Sequence, residues 1–486
     1  MKKSRWLKIL IAFLTPIAGV MVCNNSLDND SWYVLSEGRE IVENGIYYED
    51  QLSMHEGLDV TVQNYGFSAI FYLIYSAFGP VGIYLSMLII NLLLCYLIYK
   101  VCMLISHKNL NLSLIIMVLT DLLLAKGFIV TRAQLVSYCL IMLVVYLLEL
   151  YIKNKNSKYL WFLPLISLVQ VNLHASLWPM IPLFIWVYII DSFKCKKLHL
   201  EGYKTWPLAV ALVGSIIAGF LNPYGFKMLT FIITSYGVPE AHSYINELQS
   251  FRPLGDIFNI LLYGTIALTM MFYIFGPTKN IRVRWLLLIF GLLALGLNTY
   301  KGLSHLILVL LFPLAAVYKD VAIGKKYKKQ CWMAASWVGI LALTTIIAYS
   351  IVMVPMVGER SQKKELVEAL DYLDVETAAK NKNELKIYTG YNEGGYVEFR
   401  GYKPYIDPRM EVFIKANNGK EDIFQEYYNL ENGKLNQPEF LDKYNFDYLI
   451  VMDYEKLYNL VSDKYTMIFE KNGEAESVRV YKKLNT

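Results

Sequence analysis

Polar and ionisable side chains recur where long apolar runs of this chain end: Asp28 and Asp30, Arg132 with Gln134, Asn172 with His174, Asn222, Glu247, and Lys301 with His305. Any one of these alone reads as an interfacial or snorkelling side chain. Together they share one end of many runs, while the opposite ends carry mostly lysines. Ionisable groups at membrane depth are costly and normally face a protein interior or a water-filled cavity, so the recurrence points to one cavity with a chemical role. A carboxylate there can take a proton from a hydroxyl or hold a divalent cation. Arg132, Lys301 and His305 could neutralise a departing phosphate. Asp28-Asn29-Asp30 has the spacing of an acidic pair that meets a metal-bound phosphate, although a short acidic pair usually belongs to a solvated loop. The set suits group transfer from an anionic, lipid-borne donor, with Mg or Mn as the candidate cation and no defined metal ligands.

The elements that position these residues are transmembrane helices. Of 486 residues, 56% are hydrophobic and 18% charged, against about a quarter charged in soluble domains. Apolar runs long enough for a bilayer, which needs about 20 helical residues, lie at 6–23, 81–105, 111–131, 133–152, 159–173, 175–191, 206–221, 257–276, 284–300, 303–318 and 332–355. That makes about eleven spans. The Gly66–Phe78 run is short and is expected to lie at the interface or to begin the second helix. The first run follows Lys2, Lys3 and Arg5 but lacks a small-residue cleavage site, so it reads as a retained signal anchor.

Alternate connections are lysine-rich: Lys100 and Lys108; Lys153, Lys155 and Lys158; Lys194 to Lys204; Lys279, Arg282 and Arg284; Lys319 to Lys329. The positive-inside rule makes these cytoplasmic, with the N-terminus inside and the C-terminal region outside a plasma membrane. Net charge is only +5 and gives no reason to expect nucleic acid as a partner. The six cysteines form no CxxC or Cys/His cluster, and none follows Cys331.

The expected domains are a transmembrane region, 1–355, with outer loops 24–65 and 222–256, and a soluble extracytoplasmic α/β domain, 356–486. The first outer loop is acidic, including Glu49, Asp50 and Asp59, and Trp32, Leu35, Ile41 and Val42 predict an amphipathic helix ending at Gly45. The second carries Tyr224, His242, Glu247 and Arg252. In the tail, 358–380 and 420–430 read as helices; Leu385–Tyr388, Gly395–Phe399, Tyr448–Met452 and Ser477–Tyr481 read as strands. Asn392-Glu-Gly-Gly-Tyr reads as a turn, Asp407 with Arg409 as a salt bridge, and Asp121 as a polar contact between helices without a catalytic role.

Several motifs then add up in order. Leu27-Asp-Asn-Asp-Ser-Trp-Tyr, Ser36-Glu-Gly-Arg-Glu-Ile, Asn44-Gly and Glu49-Asp50 resemble the first outer loop of bacterial GT-C-type glycosyltransferases. These are multi-pass enzymes using polyprenyl-phosphate sugars, related in architecture to protein mannosyltransferases, the lipid A aminoarabinose transferase and oligosaccharyltransferase. The resemblance continues through Thr131-Arg-Ala-Gln-Leu, Val171-Asn-Leu-His-Ala-Ser, Leu221-Asn-Pro-Tyr-Gly and Asn246-Glu-Leu-Gln-Ser to Glu393-Gly-Gly-Tyr and Tyr405-Ile-Asp-Pro-Arg. It implies Asp28 or Asp30 as the catalytic carboxylate, with Asp50 a possible second acid; Asp28 is favoured because it lies closer to the membrane end of the loop. It also implies Arg132, His174 and Glu247 along the same cavity, where Gln134, Asn222, Tyr224, Lys301 and His305 join them as substrate-binding candidates by their own positions. Where relatives carry a histidine before the second helix, this chain has Gln63-Asn64-Tyr65-Gly66, so a metal site using that histidine is not implied.

The resulting expectation is a GT-C-like membrane glycosyltransferase. It would move a sugar from a polyprenyl-phosphate-linked donor to a cell-envelope glycan, lipid or protein acceptor. The rivals are a lipid or sugar transporter or flippase, with ionisable groups at the midplane and inverted repeats, and a non-catalytic envelope-assembly protein derived from the enzyme.

Overall fold

The computed structural model describes residues 14–17, 19–20, 27–125, 127–193, 202–235, 237–239, 244–250, 257–275, 282–319, 364–474 and 476–484. The predicted spans 6–23 and 332–355 lie largely or wholly outside these, as do His242 and Arg252.

Apolar runs become helices because a chain in hydrocarbon must satisfy every backbone polar group within itself. The described helices up to residue 319 are α1 (Asn29–Asn44), α2 (Tyr65–Ile105), α3 (Leu110–Ala125), α4 (Ala133–Asn154), α5 (Phe162–Leu173), α6 (Met180–Ser192), α7 (Trp206–Gly219), α8 (Phe226–Ser235), α9 (Ile257–Ile274), α10 (Val283–Asn298), α11 (Leu303–Leu310) and α12 (Phe312–Val317). Four helical stretches among the described residues are both apolar and at least 18 residues long: Tyr65–Ile105, Ala133–Asn154, Ala175–Ser192 and Tyr300–Val317. Five more are apolar but shorter, among them Leu110–Ala125 and Val283–Asn298. The predicted spans between residues 81 and 318 thus fall on helix, and among the described residues four stretches are long and apolar enough to cross a membrane. The Gly66–Phe78 run is the start of α2. It is kinked at Gly79, whose φ of 62° an L side chain rarely adopts, and Pro80 follows.

The chain divides into two compact units. One comprises Met1–Asn25, Tyr84–Asn222 and Ile245–Pro355; the other comprises Ser26–Ile83, Pro223–Tyr244 and Met356–Thr486. Most of both outer loops, assigned with the membrane region on sequence, therefore shares a unit with the tail.

The first unit is a helical bundle around a continuous apolar core that includes Ile98, Tyr138, Met142, Val145, Leu148, Tyr188, Leu306 and Phe312. Asp121 on α3 is buried. Its Oδ1 accepts from Asn91 Nδ2 at 3.0 Å and Cys95 Sγ at 3.3 Å, making the interhelical contact expected of it.

The second unit is built on a five-stranded sheet of order β2-β1-β3-β5-β4, from β1 (Lys386–Tyr388), β2 (Lys403–Pro404), β3 (Tyr448–Met452), β4 (Tyr465–Asn472) and β5 (Ser477–Lys483). β1 pairs in parallel with β2 and β3, and β5 runs antiparallel between β3 and β4. β3 is buried at every position, which explains its unbroken apolar sequence. Helices α13 (Lys364–Glu376), α14 (Gly394–Phe399), α15 (Lys415–Asn418), α16 (Ile423–Glu431) and α17 (Gln437–Tyr444) complete it.

Gly395–Phe399, expected to be a strand, lies in helix α14. Its apolar residues are too few and too close together for period 2 and period 3.6 to be told apart. Packing decides: a Cβ on Gly395 would stand 2.8 Å from the carbonyl oxygen of Asn29, and one on Gly394 2.0 Å from that of Ile406. Gly395 lets α14 lie directly on α1, where Trp32 packs against Tyr396 and Phe399 with ring centroids 4.9 and 4.8 Å apart, and Gly394 lets it lie against the Ile406–Asp407 backbone. The Glu393-Gly-Gly-Tyr motif is thus a packing device at the start of a helix.

Candidate active site

In the first unit, three of the predicted residues join through direct contacts. Arg132 is the residue before α4, and Lys301 lies in the 3₁₀ turn Tyr300–Gly302 that leads into α11. Both cations therefore stand at helix N-terminal ends, where unpaired N–H groups and the helix dipole already favour an anion. Glu247, on the turn Asn246–Leu248, lies between them. Its Oε1 is 2.6 Å from Arg132 NH1 and its Oε2 3.6 Å from Lys301 Nζ. The turn is tied in place by Tyr300 N–H donating to the carbonyl of Gln249 at 2.9 Å, and the Tyr300 ring stacks on Phe128.

This triad is not sealed. The side chains of Arg132, Lys301 and Glu247 keep 19%, 27% and 41% exposure. Burial raises the Glu247 pKa, but the Arg132 and Lys301 cations outweigh it and hold the carboxyl below its ordinary value. Glu247 is therefore an anion, and the triad carries a net single positive charge.

Behind the triad is a buried polar layer. Gln134 donates to the Tyr138 hydroxyl and, at 3.4 Å, to Ser304 Oγ. Ser304 Oγ in turn donates to the Lys301 carbonyl at 2.8 Å and lies 3.3 Å from His305 Nδ1. These residues fix Lys301 from the inside. His174 has both ring nitrogens engaged, Nδ1 with Ser137 Oγ and Nε2 with Ser176 Oγ, each at 2.9 Å, and Gln170 holds the same serine and the His174 carbonyl. Asn222 donates to the Gly219 carbonyl at 3.0 Å and closes the end of α7, so its local role is a cap.

The remaining predicted residues belong to the second unit. Asp28 is the N-cap of α1, its Oδ1 accepting from Ser31 N at 2.9 Å and Ser31 Oγ at 2.6 Å. Asp30 lies in the first turn of the same helix. Tyr224 is buried and donates to the Tyr47 carbonyl at 3.1 Å. Among the described residues no group of three or more His, Cys, Asp or Glu side chains gathers to hold a metal ion.

Asp50 has a partner that sequence did not connect with it. Arg409, only 1% exposed, places NH1 2.7 Å from Asp50, Nε and NH2 2.9 and 2.7 Å from Asp407, and NH2 3.1 Å from Glu398. Three carboxyls surround one guanidinium. Burial, with the Asp407 charge next, pushes Glu398 well above the carboxylate range, so it carries a proton. Burial acts on Asp50 in the same sense, but Arg409 and the Ser53 hydrogen bonds overcome it and hold Asp50 low. A fully enclosed, ion-paired carboxylate cannot reach a substrate, and this geometry makes Asp50 a structural anchor. The Asp407–Arg409 pair was legible at a spacing of two. Asp50 and Glu398 were not.

Glu37 also escaped notice because it sits in an amphipathic helix with other acids. It is 3% exposed, and Ser68 Oγ donates to it at 3.2 Å. Burial pushes its pKa from 4.5 to about 8, against the pull of Arg409. A carboxyl raised in this way supports folding fully below pH 4.5 and loses that contribution as pH rises through about 8. Asp50 works in the opposite sense but only below its ordinary 3.8. Thermal melting is therefore expected to weaken from pH 5 towards alkaline pH, by about 1.4 kcal/mol for each pH unit that Glu37 stays protonated only in the fold. Glu37→Gln should flatten this slope, and identical slopes in the two proteins would contradict the assignment.

One more buried ionic cluster corrects the topology markers. Arg284 was counted as a solvated loop cation, but it is buried in α10. Its Nε and NH2 meet Glu149 at 2.9 and 3.2 Å, and its NH1 meets Asp191 at 2.9 Å. It pins α10 to α4 and α6, and its charge is spent on that contact.

The fold is similar to that of the Archaeoglobus fulgidus oligosaccharyltransferase in its apo form, with a TM-score of 0.54 at 12% identity over 91% of this chain and 69% of that one. The same archaeal enzyme in complex with Zn and sulfate aligns with a TM-score of 0.44 at 11% identity, over 91% and 67%. No protein-family model matches the sequence, and no curated protein does. At such identity the first likeness shows a shared fold and no more.

Proposed function

We propose that this chain is a membrane glycosyltransferase of a bacterial GT-C branch, moving a sugar from a polyprenyl-phosphate-linked donor to a cell-envelope acceptor. The observation that carries the reading is the pair of cations, Arg132 and Lys301, converging at helix N-terminal ends within a fold similar to an oligosaccharyltransferase. In this reading the acceptor oxygen attacks the anomeric carbon of the donor, and the bond from that carbon to the phosphate oxygen breaks with inversion. The electron pair leaves on the phosphate, where Arg132 and Lys301 neutralise it. A carboxylate of the first outer loop, Asp30 or Asp28, takes the acceptor proton. The donor phosphodiester carries one negative charge and the departing phosphate gains a second, which the two cations are placed to balance.

The test is binding. Arg132→Lys replaces a planar fork with a point charge and should weaken binding of undecaprenyl phosphate by the purified protein about tenfold, the loss of roughly one charge-assisted hydrogen bond. Unchanged affinity would remove Arg132 from the site.

The same reading requires the tail to lie outside the cytoplasm, as the alternating basic loops led us to expect. Added protease should cleave beyond residue 357 in cells whose outer envelope is opened and whose inner membrane is intact. Full protection would reverse the faces.

A further inference from the structure

We infer that Glu247 is an internal stand-in for the donor phosphate, holding Arg132 and Lys301 together in the empty protein and yielding them when the donor arrives. The inference rests on the proposed function and goes further, because it assigns Glu247 a competing role in place of a substrate-binding one. Each oxygen of its carboxylate faces a different cation, Oε1 at 2.6 Å from Arg132 and Oε2 at 3.6 Å from Lys301. Two oxygens of a phosphate would address the same two cations. Without an anion between them, the two charges would repel, and each is already at a helix N-terminal end that prefers negative charge.

The contact is also built to open. Arg132 immediately precedes α4 and Lys301 lies in the 3₁₀ turn that runs into α11, where Ser304 holds the Lys301 carbonyl and Gln134 reaches Ser304. Glu247 comes from a three-residue turn in the second outer loop and is the most exposed of the three. Ion pairs with this much solvent are weak, a small cost for a donor whose lipid tail is already held by the bilayer. The rigid partners stay and the carboxylate on the loop moves.

A stand-in lowers apparent affinity by the fraction of protein in which it has let go. Removing its charge should therefore tighten binding, which damage to the fold would not do. The probe is undecaprenyl phosphate, titrated into the full-length protein in detergent micelles. Glu247→Gln and Glu247→Ala are both expected to bind it about tenfold more tightly than the unaltered chain, and adding Arg132→Ala should abolish the gain. If the unaltered chain binds, Arg132→Ala weakens it, and both Glu247 variants bind no more tightly than the unaltered chain, the stand-in role is wrong while the proposed function survives. If Arg132→Ala, alone or with Glu247→Gln, leaves binding unchanged, the phosphate site itself is misplaced and the inference falls with it.

Discussion

Asp30→Asn is expected to lower sugar transfer by about 10²–10⁴-fold, the usual contribution of a general base, while the protein still folds and inserts. Sequence alone favoured Asp28, the acid nearer the membrane end of the loop. The structure changes the expectation, because Asp28 Oδ1 holds both the backbone N–H and the hydroxyl of Ser31 at the start of α1. Asparagine caps a helix about as well as aspartate, so Asp28→Asn should keep near-normal activity, whereas Asp28→Ala should cost about 1 kcal/mol of stability. A transfer assay with the two Asn variants separates chemistry from capping. Loss confined to Asp28→Asn would restore the sequence-based order. Full activity in both single variants and in the double variant would take chemistry away from this loop and favour the non-catalytic assembly protein.

Arg409→Leu is expected to cost about 3–5 kcal/mol, because it leaves the buried carboxylates of Asp50 and Asp407 without a counter-charge. Marginal stability for a whole domain is about 5–15 kcal/mol, so the unit should become sensitive to protease and melt far earlier. The effect is not confined to the tail. Asp50 and Arg409 are 359 positions apart and in direct contact, and α1 carries the residues against which α14 packs. Residues 356–486 produced alone should therefore lack a cooperative transition. A melting curve for Arg409→Leu within a degree or two of the unaltered protein would show that the cluster does not hold the unit together.

The amphipathic helix of the first outer loop shows what was legible locally. Trp32 and Leu35 on the buried side and Gly45 beyond the end are local signals, and α1 runs from Asn29 to Asn44 as they require, although the capping role of Asp28 emerged only from the structure. Strand β3 was equally legible, as five consecutive apolar residues. Strand β4 was not. Tyr465–Asn472 mixes charged and apolar side chains on a largely exposed edge, leaving no clear alternation to read.

Sequence by itself determined that this is a chain of apolar helices with a polar, mixed tail, and it drew Arg132, Glu247 and Lys301 into one candidate list. It could do so because hydropathy, helix ends and charge are properties of neighbouring residues. Tertiary structure alone decided which charges are spent. Arg284 reads as a loop cation until Glu149 and Asp191 are found around it. Asp50 reads as a candidate acid until Arg409 encloses it. Glu247 reads as one more loop carboxylate until it is found between two cations. The reason is physical: a charge takes its role from the groups within a few ångströms and from its distance to water, and both are set by segments far apart in the chain.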